Sequence, residues 1–326
     1  MLKTSSASRV RWSAAALALA AVGLVSAVES TVPAANLRSA PQFVQAEKLP
    51  VIAATLAGTR IVAVGDYGGV LLSDDGKTFR QAKTVPTRSV LTSVFFLDAQ
   101  NGWAAGHDGT VLATSDGGDT WQVLREEPGK ERALMSVWFE NPQHGLAVGQ
   151  FGLVVETDDG GKTWKERHLV DNTEQGERHL MALFPAPQGL LFAAAESGSV
   201  FRSADNGRTW AMVQTDNKGS FWAGAALKDG SLLLVGLRGH IHRSTDQGQK
   251  WTEVPSGTQQ SLTAVVQLPD GRVQAVGMSG AVLTSADNGV TFAAKVREDR
   301  VNLTTLVPGP GGPLLFSLAG LVGKAP

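Results

Sequence analysis

Short apolar runs of strand length, bounded by turn-forming residues, recur along this chain as a set of three. One run opens on a bulky apolar residue and continues with small ones: Leu91 to Val94, Leu134 to Val137, Leu180 to Leu183, Trp222 to Ala225, Leu262 to Val265 and Leu303 to Leu306, with Ile52 to Thr55 as a weaker first copy. A second run follows a Gly-x-x-Gly hairpin, at Gly65 to Gly68, Gly106 to Gly109, Gly149 to Gly152, Gly236 to Gly239 and Gly277 to Gly280, with Ala195 and Ser317 standing for the first glycine in two further copies. A polar phrase, Ser/Thr-x-Asp-x-Gly-x-Thr-Trp/Phe, introduces the third. Its aspartates are Asp116, Asp159, Asp205, Asp246 and Asp287, with a degenerate first copy at Asp74, at intervals of 41 to 46 residues. In the phrase the aspartate accepts hydrogen bonds from the amides of its own turn, the glycine supplies a positive φ, and the aromatic anchors the returning strand.

Seven units of roughly 40 residues, each worth four strands, predict an all-β fold, a seven-bladed β-propeller with aspartate-box hairpins. Strands that begin bulky and continue small suit the crowded ring around the axis. A residue needed in every blade serves folding rather than one reaction, so Asp74, Asp116, Asp159, Asp205, Asp246 and Asp287 are expected to be structural. The last unit reaches Pro326 without an aspartate phrase, while Gln42 to Ala46 resembles an outer strand and precedes the first inner one. An N-terminal strand is therefore expected to complete the last blade and remove its open edge. The propeller domain spans residues 42–326.

The start of the chain belongs to targeting. Lys3, Arg9 and Arg11 precede an Ala/Leu/Val run from Ala14 to Val25, and Val25, Ser26 and Ala27 are the small residues of a cleavage site. Residues 1–27 are read as a signal peptide cut near Ala27, residues 28–41 as a linker, and the mature protein as exported to the periplasm or secreted. The run is short for a bilayer span, and a chain with no cysteine has no lipidated start, disulfide or thiolate site. A formal net charge of −1 argues against a nucleic-acid partner. A monomer, with peripheral association at a membrane, is the expected form, and no cofactor is indicated.

Candidate chemistry collects on the rim opposite the aspartate turns. Segments leading into the inner strands carry Arg88, Arg132, Arg178, Arg300 and Lys218, and the glycine hairpins add Tyr67, His107 and Arg238. Arginines drawn together at the mouth of the channel would form a cationic ring suited to carboxylates, whereas pairing with neighbours such as Glu131, Glu177 or Asp299 would leave no such patch. His240 and His242 alternate along one strand without an evident third ligand, so no metal is expected. Trp103, Trp138 and Trp222 are left to pack between blades or to line the channel.

The stretches Asn-Gly-Trp-Ala-Ala-Gly at Asn101 to Gly106 and His-Gly-Leu-Ala-Val-Gly at His144 to Gly149, with the glycine hairpins and the aspartate phrases, resemble the photosystem II stability/assembly factor family over nearly the whole mature chain. That resemblance implies a non-catalytic ring with an arginine patch that binds a membrane-protein subunit during assembly. For this chain it implies an exported assembly or accessory factor presenting a cationic face to an acidic peptide segment. Nothing in the sequence points to photosynthesis. The alternative is a sialidase-like glycoside hydrolase or a carbohydrate-binding propeller, since the aspartate staple is shared with such proteins. A sialidase needs an arginine triad, a tyrosine nucleophile with a glutamate and an acid/base aspartate, and here Tyr67 is the single tyrosine, with Glu196 as the candidate partner.

Overall fold

The computed structural model describes residues 38–171 and 173–324; the expected signal peptide and residues 28–37 of the expected linker lie outside the described residues. Seven antiparallel sheets stand in a ring, six of four strands and one of three. Blade 2 is representative. Its inner strand, Leu91–Phe96, pairs with Gly102–Gly106, then Val111–Thr114, then the outer strand Gln122–Arg125. The other inner strands are Val51–Ala57, Leu134–Phe139, Leu180–Ala186, Phe221–Ala226, Leu262–Gln267 and Leu303–Val307, in blades 1 and 3 to 7. Each inner strand contacts the next, and that of blade 1 contacts that of blade 7, so the ring is closed.

The core lies between the blades. Trp103 of blade 2 stacks on Phe139 of blade 3 with ring centroids 3.9 Å apart, and Trp138 is buried against blade 4 residues including Leu191 and Phe201. Hydroxyls near the start of the inner strands stitch neighbours together: Thr92 Oγ1 donates to Leu134 O at 2.5 Å, and Thr263 Oγ1 donates to Leu303 O at 2.9 Å.

The aspartate phrases form the staples expected of them. In blade 3, Asp159 Oδ1 accepts from the Thr163 amide at 2.9 Å, its Oδ2 accepts from the Thr163 hydroxyl at 2.6 Å, and Trp164 Nε1 donates to Gly161 O at 3.1 Å. The two aspartate bonds recur around Asp116, Asp205 and Asp287, while at Asp246 the lysine in place of threonine removes the hydroxyl bond and leaves those from the amides of Gln249 and Lys250. Blade 1 departs from the expectation. There the turn is one residue shorter, and the stapling carboxylate is Asp75, which accepts from the amides of Lys77 and Thr78, both at 2.8 Å. Asp74 instead turns outward to pair with Arg60 at 2.6 Å.

Closure of the ring also differs from the sequence reading. Residues 42–49 do not pair as a fourth strand beside Gly320–Lys324; they turn through a 3₁₀ helix at Ala46–Lys48. Their hydrogen bonds go to blade 1, where the Phe43 amide donates to Gln81 Oε1 and Gln81 Nε2 donates to Pro41 O. What closes the ring is a joint of the kind that Thr92 and Thr263 make between other blades. Thr304 Oγ1 donates to Val51 O at 2.7 Å, and Gly320, at φ +95°, lies so close to the segment leading into blade 1 that a Cβ would sit 2.1 Å from Glu47 O.

A second correction concerns register. The residue opposite the first hairpin position is Val51 in blade 1 and Phe221 in blade 5, where the sequence pattern suggested Ile52 and Trp222. Side chains alternate along a strand, so a one-residue slip exchanges core and channel. Phe221 is fully buried, and Trp222 faces the channel.

Candidate functional site

Every glycine hairpin in blades 1 to 6 turns through the same geometry, and the geometry is unusual. The residue before the second glycine is left-handed in all six: Tyr67 (55°), Asp108 (55°), Phe151 (53°), Ser197 (57°), Arg238 (57°) and Ser279 (53°). Two successive positive φ values make a tight turn whose twist matches the strands, at a cost of about 1 kcal/mol or more for a side chain as bulky as Tyr or Phe. The backbone is thus constant and the projected side chain varies. Tyr67 and Phe151 are 51 % and 70 % exposed, whereas the other described aromatics are buried or half-buried.

The predicted cations lie on this rim but do not converge. Arg132 forms a bidentate pair with Glu166, both bonds at 2.8 Å, and reaches Glu127 at 3.3 Å. This pairing holds Arg132 above, and Glu166 below, their ordinary values. Arg132 is therefore neutralised on the outer strand Lys165–Arg167 of its own blade, and the ring of arginines at the channel mouth is not formed. Arg178 also extends outward, but among the described residues its guanidinium meets only neutral acceptors: Ser199 Oγ, Gln214 Oε1 at 3.0 Å and the sulfur of Met212 at 3.7 Å. Arg88 donates to the carbonyl of Ser39 at 2.9 Å. Lys218, Arg238 and Arg300 are exposed, with no side-chain hydrogen bond or ion pair among the described residues, and His107 is exposed beside them on blade 2.

Lys218 and Arg238 flank a cavity of about 340 Å³ on blade 5, together with Asp216, His240, His242 and Glu253. His240 Nδ1 lies 2.7 Å from Glu253 Oε1, and the buried His242 directs Nε2 to Asp216 Oδ1 at 2.8 Å, so each imidazole takes its own carboxylate. A closer cluster joins blades 3 and 4, where His144, Glu156 and Asp158 hold ligand atoms within 4.8 Å of one another. It is already knit together: His144 bonds Asp158 Oδ1 at 3.0 Å and Asn206 O at 3.1 Å, and Arg167 holds Glu156 at 2.7 Å.

A sialidase constellation is not assembled by these residues. Tyr67 packs near Phe43, centroids 6.2 Å apart on blade 1, Glu196 accepts the amide of His179, and the arginines are dispersed over separate blades.

The sequence reading left Trp222 to the channel or to the packing between blades and did not name the methionines that line the central channel, a cavity of about 560 Å³. Its wall includes Met135, Met181, Trp222 and Met278 and no charged side chain. Met135, Met181 and Trp222 are the second residues of three consecutive inner strands, a position filled by Thr92, Thr263 and Thr304 in blades 2, 6 and 7.

Residues 126–281, spanning blades 3 to 5 and part of blade 6, match the family model described as Photosynthesis system II assembly factor YCF48. No curated protein matches the chain. Among solved structures, "YCF48 bound to D1 peptide" is similar at TM-score 0.65 and 21% identity, over 84% of this chain and 93% of that one. YCF48 from Cyanidioschyzon merolae aligns at TM-score 0.65 and 16% identity, over 87% and 98%. The WD40 β-propeller domain of Doa1 aligns equally far, at TM-score 0.64 and 12% identity over 87% and 94%, so architecture alone does not separate families. The family match is confined to residues 126–281, and the shared seven-bladed ring shows the fold alone.

Proposed function

We propose that this chain is a non-catalytic exported propeller, an assembly or accessory factor that holds an acidic, extended segment of a membrane-protein subunit on its glycine-hairpin rim. The observation that carries this reading is Arg178, a partly buried guanidinium satisfied by hydroxyl, amide and sulfur but by no carboxylate, with Lys218, Arg238 and Arg300 unpaired on the same rim. A cation held in place by neutral acceptors keeps its charge available and pays little ordering entropy when an anion arrives. The match to an assembly-factor family and the D1 peptide on one similar propeller support the partner class. Arg132 stabilises blade 3 through Glu166 and takes no part in capture.

The test is capture of a client from detergent-solubilised membranes by the tagged protein. Retention weakens as ionic strength rises, because the attraction lies at an open surface. It fails in the variant Arg178→Ala, Lys218→Ala, Arg238→Ala, Arg300→Ala, whose circular dichroism stays native. Undiminished capture by that variant, or hydrolysis of a fluorogenic sialoside abolished by Tyr67→Phe, overturns the reading.

A further inference from the structure

We propose that the mouth of the central channel is an anchor pocket that receives one bulky apolar side chain of the bound peptide. This rests on the peptide-binding reading above and adds to it what the peptide must contain. Met135, Met181 and Trp222 stand side by side on the inner strands of blades 3, 4 and 5, each only partly buried, and Met278 of the blade 6 hairpin lines the same cavity. On blades 2, 6 and 7 the corresponding threonines donate their hydroxyls to carbonyls of the next blade. The bulkiest apolar side chains of the wall thus stand on one arc of the mouth, with Ile52 of blade 1 apart from them at the same strand position. Methionine is unbranched and polarisable and adapts to differently shaped guests, and tryptophan beside it supplies a rigid face.

Charge decides the occupant. Of the unpaired or carboxylate-free cations, Arg178, Lys218 and Arg238 belong to blades 4 and 5 and so fall on the same side of the ring as the apolar arc, with Arg300 further round at blade 7. Three acids nearby are already engaged, Asp216 by His242, Glu253 by His240 and Asp299 by Arg297. An apolar centre with carboxylate-free cations further out on the same rim is complementary to an extended acidic segment with a single large aliphatic or aromatic residue, the usual division between a desolvated anchor and a polar rim.

Two short synthetic peptides of glutamate and serine, one with a central leucine and one with alanine in its place, test this against the full mature protein by calorimetry and tryptophan fluorescence. The leucine peptide is expected to bind at least about tenfold more tightly and to shift an emission component that is missing in Trp222→Phe. Met181→Ala and Met135→Ala each erase the preference for leucine while leaving the weak, salt-sensitive binding of the alanine peptide. Equal affinity for the two peptides overturns the anchor while leaving rim capture intact, as does failure of both peptides on a protein that still captures its client. Failure of peptides and client together removes both readings.

Discussion

Gly320→Ala isolates the joint that closes the ring. Two costs are expected. An alanine at φ +95° is strained by roughly 1 to 2 kcal/mol wherever it sits. Its Cβ would also lie 2.1 Å from Glu47 O and 2.7 Å from Lys48 Cα, both backbone atoms that no rotamer change can move, which adds overpacking of about 1 to 3 kcal/mol. Gly230→Ala serves as the reference, since Gly230 has φ +83° and nothing within 4 Å of the added carbon. Thermal and urea unfolding of the two variants should therefore differ by the overpacking contribution alone. Displacing Glu47 and Lys48 also strips Leu49, buried between blades 1 and 7, of its seat, so Gly320→Ala should become susceptible to proteolysis near that segment first. Equal losses in the two variants would refute the argument, because they would mean that the segment before blade 1 does not bear on Gly320 in solution.

Acid should weaken the staples. Hydrogen bonds from the hydroxyl and then the amide of Thr163 hold Asp159 at about 2, and those of Thr291 do the same for Asp287. A depressed carboxylate adds stability that is whole above the unfolded value near 3.8 and is lost as pH falls toward 2, so the melting temperature should decline across that window, less so in Thr163→Val with Thr291→Val. Met212→Glu should supply Arg178 with the carboxylate that Arg132 finds in Glu166, and client capture should weaken; Met212 also packs against the core between blades 3 and 4, so Met212→Gln serves as the neutral control for lost stability, and unchanged capture by Met212→Glu would exclude Arg178 from the binding face.

The blades were legible because the staple must be rewritten each time. Asp159, Gly161, Thr163 and Trp164 are joined by bonds within eight residues of sequence, so their chemistry is local and survives without any knowledge of neighbours. Closure was not legible for the opposite reason. Gln42 to Ala46 has the composition of a strand, but which partner it takes depended on Gln81, whose side-chain amide supplies both an acceptor and a donor to that segment. In blade 5 consecutive aromatics, Phe221 and Trp222, satisfied the inner-strand pattern in either register, and only pairing with Gly236 settles which of them is core.

Spacing located the arginines along the chain but not their direction. A segment leading into an inner strand descends from the outer strand of the blade before, so a cation two residues from its end is free to lean outward over its own blade. What it meets there is written two positions after the phrase aromatic. In blade 3 that residue is Glu166, two beyond Trp164, and Arg132 is neutralised; in blade 4 it is Met212, two beyond Trp210, and Arg178 keeps its charge. The two blades share strand order, staple and hairpin, and differ in what meets the arginine at one position of the outer strand. Glu166 is exposed, so nothing in the packing of blade 3 requires a carboxylate there, whereas Met212 is half-buried against the core between blades 3 and 4, so its place beside Arg178 follows from packing as well.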